Sequence, residues 1–295
     1  MNITILGAGA IGSLWACRLA NAGHSVSIWS HKPEKSDVSI TLDDKNPNRF
    51  ITNSVLQLKN ADVILVTVKA WQVKGSISPL LSHLTQETII VFMHNGMGVI
   101  EELPSTIDKH PVVLATTTHG AFKPDKHNVH HTGLGSTTLG GYNHLGHQCQ
   151  FLSDVFDHAL PSAHWSDSIN TALWNKLAIS CVINPLTAIH QCLNGDLLQE
   201  KYSTNVVQLV GEVSTVMKAE NIEVCSEALL NTVHQVISAT AKNHSSMQQD
   251  IQYKRATEIG YITGYLCKVA QRHRINVPTN QDLYSRIRTI EQSWS

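Results

Sequence analysis

Short apolar runs rich in β-branched residues alternate with helical periodicity over the first half of the chain. Residues 2–6 read as a strand, 11–22 as a helix and 24–29 as a second strand. Residues 61–68 and 87–94 are two further strands separated by sequence that suits helices, and 111–118 is another. Strands alternating with helices imply βαβ units and a parallel sheet covered on both faces. The Gly/Thr-rich stretch 129–142 alternates in polarity and predicts an antiparallel hairpin at the sheet edge. After Leu160-Pro161-Ser162-Ala163-His164-Trp165-Ser166-Asp167 the strand patterns stop. Leu209, Val213, Val216 and Met217 then recur at helical spacing, as do Ile259, Ile262, Leu266 and Val269. The pattern predicts an α/β domain over residues 1–167 and an all-helical domain over residues 168–295.

Composition narrows the function classes. With 22 Lys+Arg against 23 Asp+Glu in 295 residues, the formal net charge is -1. That balance argues against a broad nucleic-acid surface or a polybasic membrane patch. The longest apolar runs, such as Leu177-Ala178-Ile179-Ser180-Cys181-Val182-Ile183, fall short of the roughly 20 residues that span a bilayer. The N-terminus lacks the basic leader and long apolar core of a signal peptide. The expectation is a cytoplasmic protein with a small-molecule partner, no nucleic acid and no membrane, as monomer or homodimer. Six scattered cysteines without a Cys-x-x-Cys pair fit reduced, structural thiols. His127, His130 and His131 lie close together, but no Cys or carboxylate shares a metal-ligand spacing with them, so no metal is expected.

Gly7-Ala8-Gly9-Ala10-Ile11-Gly12 fits G-x-G-x-x-G, directly after the first strand and at the opening of the first helix. There Gly7 permits a tight turn and Gly9 a close approach of backbone to a pyrophosphate. Gly12 lets helix pack on strand, and the helix N-terminus attracts phosphate charge. The first domain is therefore expected to be a Rossmann-type dinucleotide-binding domain. An NAD-type fingerprint ends its second strand in Asp or Glu. Here Ser30-His31-Lys32 follows, so His31 and Lys32 suit a 2′-phosphate and NADP is favoured over NAD. Lys69 and Asn95 close two further strands, and ligands on open α/β sheets bind outside the carboxyl ends of strands. Lys69 alone would read as a snorkelling surface lysine; together with Asn95 it is a candidate ligand contact.

In the helical half, Lys176, Ser180 and Asn184 are spaced i, i+4, i+8 and form one stripe. Leu173, Leu177, Ile179, Cys181, Val182 and Ile183 surround it. A lysine so placed is partly desolvated, which lowers its pKa and makes it a better proton donor near neutrality. The bland alternative is a snorkelling lysine with two tolerated polar neighbours. Pro185 is expected to end this helix. Ser245-Ser246-Met247-Gln248-Gln249 reads as an N-cap with a capping glutamine before a long helix. Glu258, seven residues after Ile251 and four before Ile262, falls on the apolar stripe and needs a partner. Lys176 is a candidate.

At these residues the chain resembles the ketopantoate reductase (2-dehydropantoate 2-reductase) family over nearly its whole length. The resemblance rests on Lys69-Ala70-Trp71-Gln72, His94-Asn95-Gly96-Met97-Gly98 and Thr116-Thr117-Thr118-His119. It rests also on Leu173-Trp174-Asn175-Lys176-Leu177, Val182-Ile183-Asn184-Pro185-Leu186-Thr187-Ala188, Ser245-Ser246-Met247-Gln248-Gln249-Asp250 and Thr257-Glu258-Ile259. The family reduces ketopantoate to D-pantoate with NADPH, in pantothenate and coenzyme A biosynthesis. The resemblance implies Lys176 as general acid and Glu258 as the residue orienting hydroxyl and lysine. It implies Gly7, Ala8, Gly9, Ala10, Ile11, Gly12, Lys69, Asn95 and Ala121 as cofactor contacts. Asn95, Lys176, Ser180, Asn184, Asn194, Asn243, Ser246 and Glu258 would meet the substrate. The chain departs from the family at His31, where arginine is common, and at Ser180, where asparagine is common. The chemistry fits: hydride delivery to a ketone develops negative charge on oxygen, which a positioned ammonium stabilises and then protonates. A reductase of another branched 2-oxo acid, and a non-catalytic NADP(H) sensor, are the competing readings.

Overall fold

The β-branched runs of the first half become strands of a single sheet in the computed structural model, which describes residues 1–31 and 37–294. Two compact units emerge, Met1–His94 with Val99–Ile169, and Asn95–Gly98 with Asn170–Ser295.

The first unit holds β1 (Asn2–Leu6), β2 (Ser25–Trp29), β3 (Val38–Leu42), β4 (Asn48–Thr52), β5 (Val63–Val66) and β6 (Ile89–Phe92). It continues with β7 (Val112–Thr117), β8 (Gly120–Phe122), β9 (Asn128–Gly133), β10 (Thr137–Gly141) and β11 (Ala163–Trp165). The strand order is β11-β10-β7-β6-β5-β1-β2-β4-β3-β9-β8. The centre, β7-β6-β5-β1-β2-β4, is parallel. Both edges turn antiparallel, at β7–β10, β3–β4 and β8–β9. Every residue of β5 and β6 is buried, as in strands covered on both faces. Helix α1 (Ala10–Asn21) follows β1; three short helices follow later, α2 (Val55–Lys59), α3 (Val73–Ile77) and α4 (Leu152–Ala159). Trp15 of α1 packs on Phe156 of α4 with ring centroids 4.8 Å apart, inside the core of this unit. The chain places β2 on one side of β1 and β5 on the other, so the carboxyl end of β1 lies at the topological switch point.

The expected hairpin over 129–142 does not form. β9 pairs with β8 and β3, whereas β10 pairs with β7 and β11. The two strands are instead successive parts of one long arm, whose other side is β7 and β8. The reversal comes at Lys123–Asn128, where Asp125 Oδ1 accepts from the backbone N–H of His127 (2.7 Å) and of Asn128 (3.0 Å). A Pro-Asp turn thus outweighs the alternating pattern downstream. The arm is tied to α1 by a chain of rings: Arg18 Nη2 lies 3.2 Å from His131 Nδ1, and His131 Nε2 lies 3.2 Å from His119 Nδ1.

In the second unit, α5 (Ile169–His190), α6 (Glu200–Ala219), α7 (Ser226–Ala239), α8 (Ser246–Gln252), α9 (Thr263–Arg272) and α10 (Pro278–Gln292) enclose one apolar core. Leu209, Val213, Val216, Met217, Ile259, Ile262, Leu266 and Val269 are all buried in it. Helix α5 does not stop at Pro185 but runs five residues past it. The proline removes one backbone donor, yet the Thr187 hydroxyl donates to the carbonyl of Ile183 at 2.7 Å, while Leu186 and Ala188 are fully packed. Burial outweighs the local penalty. Helix α5 is 22 residues long, with an 18-residue stretch of mean hydropathy 1.2; by length and composition it could span a membrane, and 56% of that stretch is buried inside the protein, as in a core helix. The apolar run read from sequence, residues 177–183, is shorter because Lys176 and Asn184 bound it.

Candidate active site

The glycine loop links β1 to α1. Gly7 has φ +103°, and a Cβ there would sit 2.5 Å from Val68 Cγ1. A Cβ on Gly12 would fall on the Gly7 carbonyl and the Thr67 hydroxyl. Gly9 differs: a Cβ there would meet nothing within 4 Å. Two glycines are thus needed for internal packing, while the third leaves bare backbone facing open space at the start of a 12-residue helix. That cradle fits a pyrophosphate, which helix N-termini attract through their unpaired N–H groups and dipole.

Two residues that sequence reasoning passed over hold this loop. Thr67, just beyond β5, donates from its hydroxyl to the Gly7 carbonyl at 2.7 Å. Lys123, at the tip of the β8–β9 arm, donates from Nζ to the Ala8 carbonyl and to Ser13 Oγ, both at 2.8 Å. Only the tertiary fold brings them there; the one local signal is that each sits beside a strand end. Ala121, half-buried in β8, pairs with His131 at an irregularity in the register. Lys69 is half-buried at the carboxyl end of β5, where its N–H donates to Gln72 Oε1 at 3.3 Å. His31 lies exposed just beyond β2, and the adjoining Ser30 N–H donates to Asn53 Oδ1 at 2.8 Å. Lys32 lies outside the described residues.

The second unit carries the candidate acid–base groups. Along α5, Lys176, Ser180 and Asn184 are half-buried while Trp174, Leu177, Ala178, Cys181, Val182 and Ile183 are buried, so the three share one accessible stripe. Burial pushes the Lys176 ammonium down from 10.5 to about 8, against the opposing pull of the Glu258 carboxylate. Glu258, 7% exposed, is not on a helix as the apolar spacing implied. Helix α8 ends at Gln252, Lys254 takes φ +50°, and Glu258 lies in the turn that leads to α9. Asn95 Nδ2 donates to Glu258 Oε2 at 3.1 Å, and the Met97 N–H donates to the Tyr261 carbonyl at 2.8 Å. The segment 95–98 therefore belongs with Glu258 and Tyr261 in the second unit even though it follows β6 in sequence.

Asn194 and Asn243 are joined through backbone, Asn194 N–H to Asn243 carbonyl at 3.0 Å, and Asn194 Nδ2 donates to Thr240 Oγ1 at 2.9 Å. Its Oδ1 is buried without a hydrogen-bond partner, as is Gln248 Oε1. Buried acceptors left open are costly and suit a ligand hydroxyl. Ser245 does cap α8, accepting from the Gln248 N–H at 3.0 Å, but the Gln248 side chain turns to Gln191 Oε1 at 3.1 Å instead of closing a capping box. Ser246 and Asn243 are exposed beside this cap.

Residues 3–144 match the family model described as ketopantoate reductase PanE/ApbA, and residues 168–291 match that of the PanE/ApbA C terminal. The 2-dehydropantoate 2-reductase of Vibrio cholerae is 49% identical over 295 residues, covering 100% of this chain and 99% of that protein. Among solved structures, D-mandelate dehydrogenase with NADH and anilino(oxo)acetate aligns with TM-score 0.90 at 22% identity, over 99% of both chains. The PanE/ApbA family ketopantoate reductase of Ralstonia eutropha JMP134 aligns with TM-score 0.86 at 23% identity, again over 99% of both. Such distant structures share the fold, but the family matches and the full-length relative go further: this chain belongs to the ketopantoate reductase PanE/ApbA family.

Proposed function

We propose that the protein reduces ketopantoate (2-dehydropantoate) to D-pantoate with NADPH. In this reading residues 1–167 bind the dinucleotide and residues 168–295 present the substrate and proton donor. The observation that carries it is the Lys176 ammonium, lowered to about 8 by burial and set against Glu258. A group with that pKa is mostly protonated at neutral pH yet gives up its proton far more readily than a solvated lysine.

NADPH, when bound, supplies the hydride. Every other function falls to the protein. The glycine loop and α1 would hold the pyrophosphate, and the Ser30-His31-Lys32 stretch directly after β2 has no carboxylate, which favours a 2′-phosphate over a free ribose hydroxyl. Lys176 stabilises the charge that develops on the carbonyl oxygen and then protonates it. Glu258 holds Lys176 cationic, and Asn95 Nδ2 donates to the Glu258 carboxylate. Ser180, Asn184, Asn194, Asn243 and Ser246 offer polar groups for the substrate carboxylate and hydroxyl, with Gln248 Oε1 a further acceptor. Serine at position 180 is shorter than the asparagine common there, so its contact with the substrate is weaker or runs through water.

The test is consumption of NADPH by purified protein on addition of ketopantoate, with pantoate identified as product. NADH and other branched 2-oxo acids serve as comparisons. Turnover several-fold better on another 2-oxo acid would reassign the substrate. NADPH binding without turnover on any 2-oxo acid would make the protein a sensor.

A further inference from the structure

We propose that Glu291, in the last turn of α10, is a positioning residue for Glu258 and through it for the Lys176 proton donor; this rests on the reductase reading above. Glu258 stands in a segment that lacks the repeating bonds of a helix or strand, so its backbone is held contact by contact. On its carboxyl side, the Glu258 carbonyl accepts from the N–H of Tyr261 at 3.0 Å and of Ile262 at 3.1 Å. On its amino side the anchor is Glu291. Its Oε1 accepts from both the N–H (2.8 Å) and the hydroxyl (2.7 Å) of Thr257. The same Thr257 hydroxyl accepts from the Ile259 N–H at 3.2 Å, so it bridges across Glu258.

The anchor is built rather than incidental. The Glu291 side chain is only 11% exposed, and its second oxygen accepts from Arg288 Nη1 at 2.9 Å. Thr257 is 6% exposed. Two donors converging on one carboxylate oxygen make short, charge-assisted bonds. Without them a buried N–H and hydroxyl lose their acceptor, and the segment must move to find another. Glu258 moves with it, and Lys176 loses the carboxylate that holds its proton.

The experiment compares Glu291→Ala, Glu291→Gln and Thr257→Val with wild type in the full-length protein. It measures kcat and KM for ketopantoate, NADPH affinity by calorimetry, and kcat against pH. It also follows the rate of Lys176 labelling by an amine reagent against pH, read by mass spectrometry. Glu291→Ala is expected to lower kcat about 10- to 100-fold with NADPH affinity unchanged. The alkaline fall of kcat and the labelling midpoint should both move to lower pH. Burial already lowers that ammonium, the Glu258 carboxylate opposes the shift, and losing Glu258 removes that pull. Glu291→Gln, whose amide oxygen can still accept both bonds, should recover most of the loss. Thr257→Val should move in the same direction and serves if Glu291→Ala fails to fold. Wild-type kcat, or a lower kcat with the alkaline limb and labelling midpoint unmoved, would overturn the proposal. If wild type itself fails to reduce ketopantoate, the reductase reading falls, while the labelling midpoint still decides the role of Glu291.

Discussion

Replacing Lys176 with Met should stabilise the protein while removing its chemistry. Methionine keeps an unbranched chain of similar length and fills the same space without a charge. The ordinary lysine value of 10.5 is lowered to about 8 in the folded state, with desolvation outweighing attraction to Glu258. At 1.36 kcal/mol per tenfold step, that difference corresponds to about 3 kcal/mol favouring the neutral amine. Allowing for the partial solvent contact of the side chain, the gain expected from Lys176→Met at pH 7 is about 2 kcal/mol. The sign follows from linkage. Below pH 8 both folded and unfolded chains carry the proton, and the penalty is full. Between about 8 and 10.5 the folded state releases the proton first and the penalty fades; above that window it is gone. Denaturant titrations of wild type and variant from pH 7 to 10.5 should therefore show a variant advantage that closes as pH rises. A variant no more stable than wild type at pH 7, or an advantage independent of pH, would refute the reasoning that Lys176 is held desolvated for function.

Three further outcomes are expected. Gly9→Ala should leave the melting temperature nearly unchanged, because its Cβ enters open space, yet weaken NADPH binding; Gly12→Ala should destabilise the first unit, because its Cβ falls on the Gly7 carbonyl. Calorimetry and thermal melts separate the two, and equal effects at both sites would contradict the assignment of the cradle. Lys123→Met should loosen the glycine loop and weaken NADPH binding about tenfold, as for loss of charge-assisted hydrogen bonds, without altering ketopantoate KM. Burial lowers the pKa values of both His119 and His131, with the neighbouring Arg18 guanidinium adding to it. Unfolded histidines bind protons near pH 6.5, so stability of the first unit should be full above that value and fall as pH drops below it. Denaturation midpoints from pH 8 to 5 that stay flat would show that the pair does not titrate as a buried unit.

Much of the first unit was legible because its signals are local. The glycine loop, the buried apolar runs of β5 and β6, and α1 each follow from a few consecutive residues. What escaped depends on distant partners. The β3–β4 hairpin interrupts its apolar positions with Ser39, Asn48 and Arg49, and only pairing at the sheet edge makes it a pair of strands. The 129–142 stretch alternates properly for a strand, but alternation does not say which strand it joins. Pro185 breaks an isolated helix and not one whose next turn is fully packed. The stripe of Lys176, Ser180 and Asn184 was visible because α5 is apolar elsewhere. Glu258 was found for a partly mistaken reason: it is buried and partnered, but in a turn rather than on a helix face. Thr67 and Lys123 left only their places beside strand ends and Glu291 left no local trace, because each acts on backbone far away in sequence.

The central claim, that Lys176 supplies the proton in an NADPH-dependent reduction of ketopantoate, is tested most directly in a single turnover. Wild type and Lys176→Met are each loaded with NADPH, its binding is measured first, and saturating ketopantoate is then added. Both proteins should bind NADPH equally. Wild type should oxidise the bound NADPH and form one equivalent of pantoate from ketopantoate, and the variant should do so slower by about 10²–10⁴-fold, as for loss of a positioned acid. A variant that turns over at the wild-type rate, or a wild type that holds NADPH and leaves ketopantoate unchanged, would contradict the account.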